Sequence, residues 1–151
     1  MFIKHIICTV KPENMLAFSE AQKAWSKTKE SGGFLCQIGG WNQNNQTEVV
    51  IISFWEDKSS LDSFMNKTHD DIFYPSKQLQ TYDEIFISYF ECNHIDIAIL
   101  INEIDAIENL ITTCANNDSI LKINFLNDTI YINAQNLGNK KVSLIDAWKV
   151  I

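Results

Sequence analysis

The chain has 151 residues, of which 46% are apolar and 21% charged, and its net charge is −7. Its 12 basic residues are all lysine. Planar, bidentate recognition of phosphates and bases is an arginine speciality, so an acidic chain without arginine is a poor nucleic-acid binder and offers no basic patch to an anionic membrane.

The length suits one domain with a sizeable core, or one domain with an appendage. The absence of arginine, beside many Ile, Asn and Lys, also fits an AT-rich coding genome. The N-terminal run MFIKHIICTVKPEN is too short and too broken for a signal peptide or a membrane span, which predicts a cytoplasmic protein. Cys8, Cys36, Cys92 and Cys114 are far apart and form no C-x-x-C pair. In a reducing cytosol they read as buried thiols, neither a disulfide frame nor a zinc site, and no metal is expected.

Residues 2–10, FIKHIICTV, read as a strand. Phe2, Lys4, Ile6, Cys8 and Val10 share one face, and Ile3, His5, Ile7 and Thr9 the other. Pro12 and Glu13 suit a first helical turn, and the helix they open is predicted to run to about Lys29. Met15, Phe18, Ala21, Gln22 and Trp25 lie along one side of it. Gly32 and Gly33 stop it, because glycine accepts the left-handed cap cheaply. FLCQIGGW, residues 34–41, is a second strand whose Gly39-Gly40 pair suggests a bulge or a close backbone approach.

The polar loop NQNNQT leads into the central strand, residues 49–55. That strand is apolar at both parities, so both of its faces are expected to be covered. Asp57 or Ser59 can cap the following helix, on which Leu61, Phe64, Met65 and Thr68 share a side. Residues 70–81 read as irregular because Pro75 interrupts them. YDEIFISYF, residues 82–90, is a fourth strand, again apolar on both faces.

This order, β-α-β-β-α-β within residues 1–91, is the ferredoxin-like α+β arrangement, with two helices on one face of an antiparallel sheet. The opposite face is too apolar to stay wet. A second copy packed sheet to sheet is the simplest cover, and the C-terminal segment is the alternative. Residues 92–151 read as an α/β extension packed on the first domain. Ile95–Ile101 is a strand or a helix start, and Glu103–Ala115 a helix by apolar spacing. Three short strands follow at 120–126, 129–134 and 142–151, with turns at Asn127-Asp128 and Leu137–Asn139.

FIKHIICTV, AFSEAQKAW, GFLCQIGGWN, IISFWEDKSSLDSFM and THDDIF are similar to the YdbC-like family of bacterial proteins. That family sits in the dimeric α/β-barrel, antibiotic-biosynthesis-monooxygenase-like superfamily. The resemblance covers residues 1–91. It implies a homodimer whose two sheets close one barrel, and no defined activity. Haem-degrading members of the superfamily carry an Asn on the first strand, a Trp on the second helix and a haem-ligating His after it. Here the first strand has no Asn, the helix aromatic is Phe64 and His69 follows only five residues later. Haem degradation is therefore not expected, and no cofactor is. Cofactor-independent oxygenases of the superfamily act on electron-rich phenolic polycycles.

His69, beside Asp70 and Asp71, is the sharpest polar cluster. At a helix C-terminus it would serve as a general base or a metal ligand, or simply cap the helix. His5 interrupts an apolar strand and needs a partner for its ring. It points either into a cavity between sheet and helices or into plain core. Gln37, Ser53 and Ser88 are further polar interruptions able to line such a cavity. Trp25, Trp41, Trp55 and Phe64 form either an aromatic pocket for a flat, apolar ligand or ordinary core. His94 reads as a loop residue. Two functions fit: a monooxygenase-like small-molecule enzyme with His69 or His5 as base, and a non-catalytic ligand-binding or structural protein.

Overall fold

A computed structural model describes residues 1–92, 108–116, 120–126, 128–135 and 137–151. Among the described residues, eight antiparallel strands form one closed barrel. They are β1 (Phe2–Thr9), β2 (Phe34–Asn42), β3 (Glu48–Trp55), β4 (Glu84–Glu91), β5 (Glu108–Ala115), β6 (Ile120–Leu126), β7 (Thr129–Ala134) and β8 (Gly138–Leu144). Their order around the barrel is β1-β3-β2-β8-β7-β6-β5-β4. The first half, β4-β1-β3-β2, is the expected ferredoxin-like sheet.

The helices cover one face of that half. A 3₁₀ turn at Pro12–Asn14 leads into α1 (Met15–Gln22), and a second 3₁₀ segment, Lys23–Glu30, completes the stretch. The sequence predicts one continuous helix here, but Trp25, Ser26 and Thr28 are weaker helix formers and the second half tightens. Extended Ser31 ends it, and Gly33 at φ +73° turns the chain into β2. α2 (Lys58–Lys67) is capped by Asp57, whose Oδ1 accepts the Ser60 amide at 2.7 Å.

α3 (His69–Ser76) occupies residues predicted to be irregular. Pro75 stands in its last turn, where a missing amide costs one bond, and Lys77 closes the helix at φ 56°. His69 therefore begins a helix. Its expected place at a helix C-terminus, and the dipole argument resting on it, are both corrected.

The other sheet face is covered from within the chain. Ile3, Val50, Ile52 and Phe54 pack inside the barrel against Leu121, Ile123, Phe125 and Ile132. This is the face predicted to meet a second copy, and the sheet-to-sheet homodimer is corrected on that point. The barrel closes with this chain's own β5–β8. Burial of the apolar face is satisfied without a partner.

Three further expectations change. Glu108–Ala115 is a strand where a helix is predicted, and its β-branched Ile111, Thr112 and Thr113 favour the extended form. The earlier part of that predicted helix, the Ile95–Ile101 element, His94 and the turn residue Asn127 lie outside the described residues. Residues predicted as a last strand divide into the end of β8, a 3₁₀ turn at Asp146–Trp148 and a bridge from Val150 to Gln37. Cys92 and Cys114 are joined in a disulfide with Cα atoms 4.4 Å apart, against the expectation of free thiols. The pairing of Glu91 with Ala115 brings them together, which spacing along the chain cannot show. Cys8 and Cys36 are buried thiols. Among the described residues no helix is long and apolar enough to cross a membrane.

Candidate functional site

Between the helices and the outer face of β1-β3-β4 lies a cavity of about 250 Å³. Its floor follows from strand register. Lys4 on β1 faces Ser53 on β3, which faces Gln37 on β2, so a polar row crosses three strands on one face. Apolar rows flank it, Ile6, Ile51 and Ile87 on one side and Phe2 with Trp55 on the other. Aromatic rings build the walls. Trp25 comes from the 3₁₀ segment, Phe64 from α2, and His69 and Phe73 from α3.

The rings touch one another. Trp25 lies 5.3 Å from His69 and 6.5 Å from Phe64 between centroids, and His69 stacks on Phe73 at 5.4 Å. Trp55 packs on Phe64 at 5.0 Å. The indole N–H groups are satisfied locally: Trp55 donates to Ser53 Oγ at 3.1 Å and Trp25 to Gln78 Oε1 at 2.6 Å. Gln78 Nε2 donates in turn to Gln22 Oε1 at 2.8 Å. His69 Nδ1 lies 2.9 Å from Asp70 Oδ1. A carboxylate only accepts, so Nδ1 carries the proton and, in the neutral ring, Nε2 is the basic nitrogen.

Lys4 is the residue that sequence reasoning missed. It is only 6% exposed, and among the described residues its Nζ has one hydrogen-bond partner, Met65 Sδ at 3.4 Å. Burial pushes its ammonium pKa down to about 8. The available signal was a lysine in the middle of the face carrying Phe2, Ile6 and Cys8. Cys8, also on the cavity, is pushed up to about 12 by burial, and Tyr82 is raised by burial first and by Cys8 second. Two buried polar atoms of residues that line the cavity, Gln37 Nε2 and Thr28 Oγ1, have no partner among the described residues.

Of the residues singled out from sequence, Trp25, Gln37, Ser53, Trp55, Phe64 and His69 meet at this cavity. His5 does not. Strand alternation turns it to the barrel interior, fully buried, with Nδ1 3.1 Å from Ser88 Oγ and Nε2 without a partner among the described residues. Burial, then the positive charge of Lys140, lowers its pKa to about 4. As a base reaching this cavity His5 is therefore corrected, and Ser88 leaves the cavity with it. Trp41 also lies elsewhere, packed with Phe18 and Trp148 at 6.1 and 5.8 Å.

Comparison with known proteins agrees with this architecture. Over 93 residues the chain is 34% identical to the uncharacterized protein YdbC of Bacillus subtilis (strain 168), covering 60% of this chain and 78% of that one. A candidate antibiotic biosynthesis monooxygenase from Deinococcus radiodurans superposes with a TM-score of 0.54 at 13% identity, over 63% of this chain and 95% of its own. A candidate monooxygenase from Fusobacterium nucleatum superposes over 97% of this chain and 77% of its own, with a TM-score of 0.53 at 10% identity. At such identities the likeness concerns fold alone. The family described as a domain of unknown function, DUF4937, matches residues 2–90, and the chain belongs to that family, with an α+β fold of the antibiotic-biosynthesis-monooxygenase type.

Proposed function

We propose that the protein is an oxygenase-like enzyme, without a cofactor, acting on a flat, largely apolar small molecule held in the cavity between sheet and helices. The observation that carries this reading is the aromatic enclosure of Trp25, Trp55, Phe64 and Phe73 around one basic ring, His69. The cavity, about 250 Å³, is a little below the roughly 300–1,000 Å³ of ordinary ligand sites. It therefore suits a compact fused-ring molecule.

In this reading His69 Nε2 takes a proton from an acidic CH₂ of an electron-rich phenolic ring system. The carbanion passes an electron to dioxygen, and the two combine as a peroxide on that carbon. Loss of water leaves a carbonyl, so one oxygen atom stays in the product and the other departs as water. The aromatic walls hold the ring plane and exclude solvent from the anion. Phe64 and Trp55 are pocket walls, and Gln37 and Ser53 orient polar substituents.

The small, mostly apolar cavity also favours a second reading, ligand binding without turnover. Anthrone as a probe separates the two. Expected are saturable quenching of tryptophan fluorescence and oxygen uptake, the latter falling on the order of 100-fold in His69→Ala. Quenching without oxygen uptake selects the binding reading, and no quenching rejects the cavity as a site. Division into a family domain, 1–91, and an extension, 92–151, belongs to this proposal, as do a cytoplasmic location and a homodimer. With the inner sheet face already covered, such a dimer would use another surface. The exposed Ile85, Phe86, Ile87 and Tyr89 of β4 are the apolar choice.

A further inference from the structure

We propose that Lys4 is an anion anchor and that the ligand of the cavity is a planar aromatic carboxylate. This rests on the reading of the cavity as a ligand site and goes beyond it by naming the ligand's charge and the residue that selects it.

The first argument is the missing counter-charge. A buried ammonium ordinarily sits against a carboxylate, because desolvation otherwise disfavours the charged form. Among the described residues Lys4 has only the thioether of Met65, a weak acceptor, within hydrogen-bond distance. Among the described residues lining the cavity there is no Asp or Glu. Strands β1, β3 and β4 hold the lysine stem between apolar rows, so its head stays at the cavity instead of reaching bulk water. Its lowered pKa is the expected result of an empty anion site, and a bound carboxylate would raise it again.

Unpaired polar groups near Lys4 point the same way independently. Gln37 and Thr28 line the same cavity, and their Nε2 and Oγ1 atoms are buried without partners among the described residues. Gln37 lies on the same cross-strand row as Lys4, with Ser53 between them. Ser53 Oγ already accepts the Trp55 indole N–H, which leaves its own hydroxyl hydrogen to donate. The floor of the cavity thus carries donors, one of them cationic, beside neutral amide and hydroxyl oxygens, and among the described residues lining it there is no carboxylate to balance the charge. Unpaired buried donors are costly, so a ligand that brings acceptor oxygens is selected over one that does not.

The remaining surface sets the rest of the ligand. The rings of Trp25, Trp55, Phe64 and Phe73 offer aromatic faces and edges to a flat apolar body. A carboxylic acid is ionised at neutral pH before it enters and brings two acceptor oxygens. A phenol would have to lose its proton in a poorly solvated site to offer the same charge.

The test compares 2-naphthoate with 2-naphthamide, alike in shape and different in charge. Binding to the full-length chain is measured at neutral pH by tryptophan fluorescence and calorimetry. Lys4→Met keeps the volume of the side chain, Lys4→Gln keeps a neutral donor, and thermal melts verify that both fold. Wild-type protein is expected to prefer the naphthoate by roughly 10- to 100-fold, the range of a charge-assisted hydrogen bond. Both variants should lose that preference while holding the naphthamide within about threefold of wild type. If the preference survives in the variants, or if wild type binds both probes equally, Lys4 is not the anchor although the cavity remains a ligand site. If neither probe binds wild type, the proposal and the reading beneath it fail together.

Discussion

Lys4 and His5 are neighbours in sequence, and the pleat of β1 sends them to opposite sides of one sheet. Lys4 enters the cavity under the helices, and His5 enters the barrel. The same cause, loss of water around the charged form, lowers both pKa values. For His5 this yields a stability prediction. Its pKa is about 4 folded and 6.5 in the ordinary range. Between those values the unfolded chain takes up a proton that the native chain refuses, so stability falls as pH drops from 6.5 to 4. The loss from this group is on the order of 3 kcal/mol. Urea unfolding of wild type and His5→Met at pH 7, 5.5 and 4 should show the variant losing less stability across that window. Equal losses would mean that His5 is not desolvated as described.

Residue-level reading went furthest where one face was plainly mixed. Gln37 and Ser53 stood out as polar breaks and do meet at the cavity. His5 was equally conspicuous, but both faces of its strand are apolar, and alternation alone does not say which face looks at the helices. Lys4 was passed over because lysine in a strand is ordinarily a solvated side chain, and only its burial gives it meaning.

At the level of elements, the junction of β2 with β8 is where the first half of the barrel meets the second. Gly40 makes that junction possible. A Cβ there would collide with the carbonyl oxygen of Ser143, whereas one at Gly32 would meet nothing within 4 Å. Gly40→Ala is therefore expected to destabilise by about 2–4 kcal/mol, as strained or overpacked sites do. Gly32→Ala should stay within about 0.5 kcal/mol of wild type. Thermal or chemical unfolding of the two variants side by side checks this contrast, and similar losses in both would refute it. The Gly39-Gly40 pair in the sequence pointed to a bulge or a close approach. The close approach is at Gly40, and the register shift lies earlier, between Phe34 and Cys36.

α3 shows the limit of local rules. Pro75 argues against a helix only if it falls in the interior, and here it falls in the final turn. Because α3 starts at His69, the ring is carried in among Trp25, Phe64 and Phe73 instead of capping α2 at the surface. The Glu108–Ala115 segment misled in the opposite direction. Its apolar spacing matches a helix, but β5 hydrogen-bonds to β6 along most of its length, and tertiary pairing overrides short-range periodicity.

For the whole molecule, closure of the barrel has a consequence in solution. The apolar face of β1, β2 and β3 is buried by β6–β8, so a chain cut after residue 91 would expose Ile3, Ile38, Val50, Ile52 and Phe54. The truncated chain is expected to self-associate and to bind dyes for apolar surface, in contrast to the full chain. Light scattering and dye fluorescence on both forms measure this. A truncated chain that stays monomeric and dark would show that the C-terminal half is not what keeps that face dry.

The β-α-β-β-α-β order, the two-sided burial of the central strands and most of the aromatic and polar residues that meet at the cavity are legible along the chain. These are local matters of periodicity, capping and composition, readable over a few turns or strand repeats. Only the tertiary structure decided that the chain covers its own sheet, that Cys92 meets Cys114, and that Lys4 lies at the cavity while His5 lies in the barrel. Each of these depends on which strands pair and in what register. In strands apolar on both faces, that choice is set by packing across the whole barrel and leaves no mark in any single stretch of chain.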